Sequence, residues 1–220
     1  MVRKFFALLA AVSVTCIMGC SNSNESIQNT PDIEPTPAIA EVQQTPEAGI
    51  DTKAAENDSN SAKNEVVTIK VTSETLTADG KWLTVINSLY ACPEGSNLSP
   101  QLTWEPVEGA ACYAIYMVDN SAGYWLHWRA KNVKETSLPL GAELEESNYK
   151  GPYPPGGTHE YEVIVYALKT PPEKYPGAFD SNFVAIGTIE QKLDTVGGVP
   201  GNIIGKGSVK GTVTYGEVVE

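Results

Sequence analysis

Residues 151–168 read Gly151-Pro152-Tyr153-Pro154-Pro155-Gly156-Gly157-Thr158-His159-Glu160-Tyr161, then Glu162-Val163-Ile164-Val165-Tyr166-Ala167-Leu168. Proline fixes φ and stiffens the first half, while the glycines allow tight turns and close backbone approach. From Tyr161 to Leu168 the chain is β-branched, aromatic and apolar, which predicts a strand. Side chains alternate along a strand, so His159, Tyr161, Val163 and Val165 are expected on one face and Glu160 on the other.

The same reading extends outward. Val67 to Val71 alternates apolar and polar. Leu98 to Trp104 and Ala111 to Val118 are further strands, split by the turn-like Pro106-Val107-Glu108-Gly109. Tyr124 to Val133 and Gly207 to Tyr215 complete the set. Only Ser181 to Val196 looks helical, with Phe183, Ile186, Ile189, Leu193 and Val196 at three- to four-residue spacing. The expectation is a mainly β fold, an antiparallel β-sandwich with one short C-terminal helix. Leu102 to Ala110 also resembles the start of a fibronectin type III repeat. That stretch by itself leaves an adhesive sandwich and a domain with a pocket equally open.

The folded part is expected at 65–220, about the size of one domain. Before it, Arg3 and Lys4 precede a nearly unbroken apolar run from Phe5 to Ile17, the pattern of a signal peptide over 1–19. Ile17-Met18-Gly19-Cys20 resembles the lipobox of bacterial lipoproteins, which implies cleavage before Cys20 and a lipid on its sulfur. From Cys20 to Asn64 the chain lacks aromatics and carries eight acidic and two basic residues. Such a segment buries too little apolar surface to offset its ordering entropy, so a disordered tether with a reach of roughly 35–40 Å is expected. The protein would then be exported, anchored to the bacterial membrane through Cys20, and face outside the cytoplasm.

The whole chain has 220 residues and a net charge of -12. That argues against nucleic-acid binding, which needs cations to displace counterions from phosphates. It also argues against polybasic docking on anionic lipid. There are only 2 His and 4 Cys, too few for tandem zinc sites or a dense disulfide scaffold. Both histidines sit in aromatic company: His159 as above, and His127 in Tyr124-Trp125-Leu126-His127-Trp128. By alternation, Trp125, His127 and Arg129 are expected to share a face. Imidazole, phenol and backbone N–H groups suit a small anion site, although a lone histidine near an apolar strand is more often a core residue. Gly-x-Ser-x-Gly and His-Glu-x-x-His are both absent, so no enzyme and no cofactor is expected. Asp119, His127 and His159 are enough in principle for a three-ligand metal site, but nothing else points to a metal.

Four stretches, in order, resemble the phosphatidylethanolamine-binding protein family, in its bacterial Raf-kinase-inhibitor-like branch. Cys92-Pro93-Glu94-Gly95-Ser96-Asn97-Leu98-Ser99-Pro100-Gln101-Leu102-Thr103-Trp104 is similar to the family's Cys-x-Gly-x-Asn-x-Ser-Pro-x-Leu-x-Trp, with one extra residue. Tyr113 to Asp119 resembles the strand entering Asp-Pro-Asp-Ala-Pro. His127-Trp128 matches the His-Trp pair. Gly151 to Tyr161 resembles Gly-x-x-Pro-Pro-x-Gly-x-His-Arg-Tyr, the most specific of the four. The resemblance implies a β fold with a small cavity for phosphate-like or phosphorylethanolamine-like anions, lined by Asp119, His127, Gly151, His159 and Tyr161. Asp119 would orient a histidine or accept from an ammonium group, and His127, His159 and Tyr161 would donate to anionic oxygens.

This chain departs from the family at identifiable places. Asp119-Asn120-Ser121-Ala122-Gly123 lacks both prolines and the second acid, so a more mobile, less anionic loop is expected. Glu160 replaces an Arg, facing away from the pocket. Arg129 and Lys131 replace apolar residues, with Arg129 expected to add charge near His127. A protein-interaction module that inhibits a hydrolase or kinase-like partner and an adhesive scaffold with a vestigial pocket are the alternative readings. Cys92 and Cys112 remain after export, and the sequence leaves open whether they form a disulfide.

Overall fold

The computed structural model describes residues 65–90, 94–182 and 185–220. The expected signal peptide, Cys20, the tether and Cys92 lie outside them. The elements run β1 (Val67–Thr68), β2 (Val71–Thr72), β3 (Leu102–Trp104), β4 (Cys112–Asp119), β5 (Trp125–Val133), β6 (Ser137–Leu138), β7 (Ser147–Tyr149), β8 (Thr158–Leu168), α1 (Ile186–Asp194) and β9 (Ile203–Thr214). Six strands form one sheet in the order β1-β9-β8-β4-β5-β7, and three form a second in the order β2-β3-β6. All pairings are antiparallel except β1 with β9. Among the described residues, a mainly β sandwich with one helix is therefore the observed fold.

The centre of the large sheet is buried on both faces, which explains why β4 and β8 read as apolar runs. Tyr113, Ile115 and Met117 of β4 join Tyr161, Val163 and Val165 of β8 in the core between the sheets, against Val71, Leu102, Trp104 and Leu138. Cys112, Ala114, Tyr116 and Val118 face the other way, with Ile164, Tyr166 and Leu168, under Ile189 and Leu193 of α1. Fully burying side chains of this kind stabilises by roughly 1.5–3 kcal/mol each. The helix is shorter than its apolar spacing predicts, and it serves as the lid of this second core.

The strand expected from Val67 to Val71 is divided. Its first half pairs with β9 in the large sheet and its second half with β3 in the small one. Buried Ile69 lies at the crossing. The chain crosses directly over Gly207, where a Cβ would collide with the Ile69 carbonyl. Glycine is required there for close backbone approach. It also hides the true start of β9, since Gly205-Lys206-Gly207 does not look like strand in the sequence.

Candidate functional site

The site forms where β4, β5 and β8 end side by side: Asp119 lies opposite Trp125 on one flank and opposite Tyr161 on the other. The chain then turns through a short 3-10 segment, Asn120–Ala122. Asp119 is 2% exposed and caps this turn. Its Oδ1 accepts from the N–H of Ser121 at 2.8 Å and of Ala122 at 3.0 Å. Its Oδ2 accepts from His159 Nδ1 at 2.7 Å. The carboxylate thus fixes the ring of His159 and leaves Nε2 as the ring nitrogen available to a ligand. The turn expected to be mobile is tied further: Ser121 Oγ accepts from the Glu160 N–H, and Asn120 Nδ2 donates to Glu160 and Glu162. These contacts also hold Glu160 on the side away from His159, as alternation predicts.

His127 occupies a bulge. Val118 pairs with Leu126, but Met117 pairs with Trp128, so His127 is the extra residue of β5. Bulges re-aim side chains at sheet ends. Here the ring turns inward and packs edge-on against Tyr161, with centroids 5.2 Å apart. Its Nδ1–H donates to the Lys150 carbonyl at 2.9 Å, while the Lys150 N–H donates to the His127 carbonyl at 2.8 Å. Burial lowers the His127 pKa, an effect partly opposed by the Lys150 carbonyl and the Asp119 charge. The ring is therefore biased toward its neutral form, with Nε2 as an acceptor until a ligand brings negative charge or a proton.

The bulge also overturns the placement of Arg129. One extra residue reverses the facing of the side chains that follow, here as far as Ala130. Arg129 does not join His127: it lies across the sheet, where its Nη1 donates to the carbonyls of Gly177 and Tyr175. There it clasps the segment between β8 and α1, which also receives the Tyr116 hydroxyl on the Pro176 carbonyl at 3.0 Å. Cys112, a buried free thiol, meets Tyr175 Oη on the same side at 3.8 Å.

The cleft has a volume of about 420 Å³ and is lined by Asp119, Ala122, Trp125, His127, Lys150, Tyr153, Pro155, His159 and Asp180. Three of the five residues named from sequence thus face it directly. Tyr161 and Gly151 stand behind the wall. The Tyr161 ring lies between the two imidazoles, 6.4 Å and 25° from His159. It is fully buried, and its hydroxyl has no hydrogen-bond partner. Burial is the main cause that raises its pKa, and the nearby Asp119 charge adds to it. It remains a phenol, able to donate. Gly151 does structural work: its N–H donates to Asn97 Oδ1 at 2.8 Å, and a Cβ would collide with the backbone of Ile86 to Ser88.

Lys150 and Asp180 are site residues that the sequence reading misses, while Trp125, expected on the His127 face, lines the cleft with it. Lys150 Nζ lies 2.8 Å from Asp180 Oδ2, and Trp125 Nε1 donates to Asp180 Oδ1 at 3.1 Å. The hydrogen bond from Lys150 holds the Asp180 carboxyl below the usual carboxylate range. Lys150 immediately precedes the glycine of the motif loop, and that adjacency is the one available signal. Asp180 has none, because it arrives from a loop docked on β5 through Leu126. Among the described residues, no three His, Cys, Asp or Glu side chains are grouped to hold a metal ion.

Two packed sheets, a capping aspartate and two imidazoles around a small cleft define a β binding fold with an end-of-sheet pocket. Residues 73–214 match the Phosphatidylethanolamine-binding protein family, and the chain belongs to it. A UPF0098 protein of Methanothermobacter thermautotrophicus is 28% identical over 151 residues, 60% of this chain and 91% of that protein. The UPF0098 protein YbcL of Escherichia coli K12 is 33% identical over 124 residues, 44% of this chain and 66% of that protein. A Mycobacterium tuberculosis protein whose name is that of a lipoprotein, LppC, is 31% identical over 105 residues, 40% of this chain and 52% of that protein. The crystal structure of E. coli YbcL, described as a member of the mammalian PEBP family, superposes with a TM-score of 0.51 at 24% identity, covering 66% of this chain and 98% of that one.

Proposed function

We propose that the protein is a binding protein, not an enzyme, and that its cleft takes a phosphate-like or phosphorylethanolamine-like group. The observation that carries this is the pair of imidazoles, His127 and His159, that line the cleft together. Each has its Nδ1 engaged, His159 by Asp119 and His127 by the Lys150 carbonyl, which leaves both Nε2 atoms for a ligand. Once protonated, each imidazole offers a charge-assisted bond to an anionic oxygen.

We further propose that the domain works outside the cytoplasm on a lipid anchor at Cys20. The lipobox-like ending at Gly19-Cys20 and the relative named LppC support this reading. The pocket is tested by titrating the full chain with phosphate and with phosphorylethanolamine while following the imidazole NMR signals. Both histidines are expected to shift, and His159→Ala is expected to abolish the effect. Unmoved signals at millimolar ligand would sink the reading. For the anchor, Cys20→Ser is expected to release the protein from the membrane fraction, and unchanged retention counts against it.

A further inference from the structure

We propose that the Lys150–Asp180 ion pair sets the selectivity of the cleft, admitting ligands that carry a cation beside their anionic group and disfavouring simple anions. This rests on the reading of the cleft as an anion-binding pocket and assigns its selectivity to residues outside the family motifs.

Lys150 and Asp180 line the cleft together, and among the described residues Lys150 is the only lysine or arginine in its lining. The lysine is already engaged, its Nζ 2.8 Å from Asp180 Oδ2. Two carboxylates, Asp119 and Asp180, face the same space. A simple anion must take Lys150 from Asp180 and then lie beside an uncompensated carboxylate. A ligand with both charges exchanges one pair for two: its anionic oxygens take Lys150 and its ammonium takes Asp180.

Asp180 is built for that exchange. Trp125 Nε1 holds Oδ1 from the second side. The residue adopts φ 56°, a left-handed conformation that Asp tolerates better than most residues. Its backbone N–H donates to the Leu126 carbonyl at 2.9 Å. The carboxylate therefore stays in position when Lys150 is drawn away. Each of its oxygens has lone pairs left for an ammonium donor, and the indole beside it suits a cation. Asp180 and Lys150 are about one-third exposed, so the exchange occurs at the mouth of the cleft, where a lipid headgroup or a free metabolite could present the same chemistry.

The test titrates the full chain with phosphorylethanolamine and with glycerol 3-phosphate, an ester of similar size without the ammonium. Wild type is expected to prefer phosphorylethanolamine by about tenfold, as one charge-assisted hydrogen bond would give. Asp180→Asn is expected to bring the two affinities together by strengthening glycerol 3-phosphate and weakening phosphorylethanolamine. Lys150→Gln is expected to weaken both. A preference unchanged in Asp180→Asn overturns the proposal while leaving the pocket intact. Failure of both compounds to move the imidazole signals of wild type overturns the pocket reading itself, and this proposal with it. Vesicles separate the sources: preferential binding to phosphatidylethanolamine over phosphatidylglycerol vesicles assigns the headgroup, and equal binding to both counts against selectivity by Asp180.

Discussion

His159 and His127 reach the same cleft on two strands that behave differently. β8 pairs without interruption from Thr158 through Ala167 on both sides where it has partners, apart from one irregularity at Leu168. Its alternation is regular, so Tyr161 follows His159 on one face and Glu160 takes the other. β5 carries an extra residue at His127 and a second irregularity between Ala130 and Val133. After the first, the facing reverses, and Arg129 goes to the helix side. Period-two reasoning is valid only within an unbroken register. The bulge that spoils it is also what turns His127 inward.

The largest expected effect breaks the regular side of this contrast. Val165 of β8 pairs with Gly207 of β9, and Gly207→Ala would drive a methyl group into the Ile69 carbonyl. Backbone cannot yield as a flexible side chain does, so a loss of about 3 kcal/mol is expected, read by chemical denaturation. Next is Asp119→Ala. It strands the N–H groups of Ser121 and Ala122 and frees the ring of His159. A loss of about 2–3 kcal/mol is expected, together with loss of the ligand-induced shift at His159. A stable variant with an intact His159 response would show that the capping aspartate is not what orients the ring.

Arg129→Leu tests the irregular strand. It removes bonds to the Tyr175 and Gly177 carbonyls, and it also removes a buried Nε that has no partner. The two effects partly offset, so about 1–2 kcal/mol is expected. The same change should loosen Asp180, three residues beyond Gly177, and so reduce selectivity at the cleft without touching His127. If instead the His127 signals respond as strongly as in His159→Ala, the reversal of facing at the bulge is wrong.

These cases show how much is legible in the sequence. The strands β4, β5, β8 and β9 and the helix are readable because apolar periodicity survives wherever a face is buried. Asp119, His127 and His159 are readable because they stand in or beside distinctive motifs. Gly151 stands in the right stretch but has a different role from the one the motif implies, since its contact is with backbone 63 to 65 positions earlier in the chain. The edge strands β6 and β7 are only two and three residues long, too short to show a period. Asp180 is invisible because a loop's destination depends on tertiary docking, here the clasp by Arg129 and the bonds to Leu126. Nothing local in Ala178 to Ser181 encodes it.

The smallest expected effect separates the two histidines by pH. Burial lowers the His127 pKa in the folded protein below its ordinary value near 6.5. Above that pH the ring is neutral both folded and unfolded, so it contributes no pH dependence. As the pH falls below about 6.5 the unfolded chain takes up a proton that the folded chain resists. Stability is therefore expected to decline through that window and to level off below the folded pKa. His127→Gln should remove this part of the decline, measured as the difference between denaturation midpoints at pH 7 and pH 5. Ligand acts in the opposite direction: an anion at Nε2 favours the charged ring, so its binding takes up a proton and its affinity should rise as the pH falls. Wild type should then show the acid-induced loss of stability when empty and less of it when saturated with phosphorylethanolamine. An identical pH profile with and without ligand would place His127 in the wall of the cleft without contact to the bound group, and would leave His159 as the histidine that reads it.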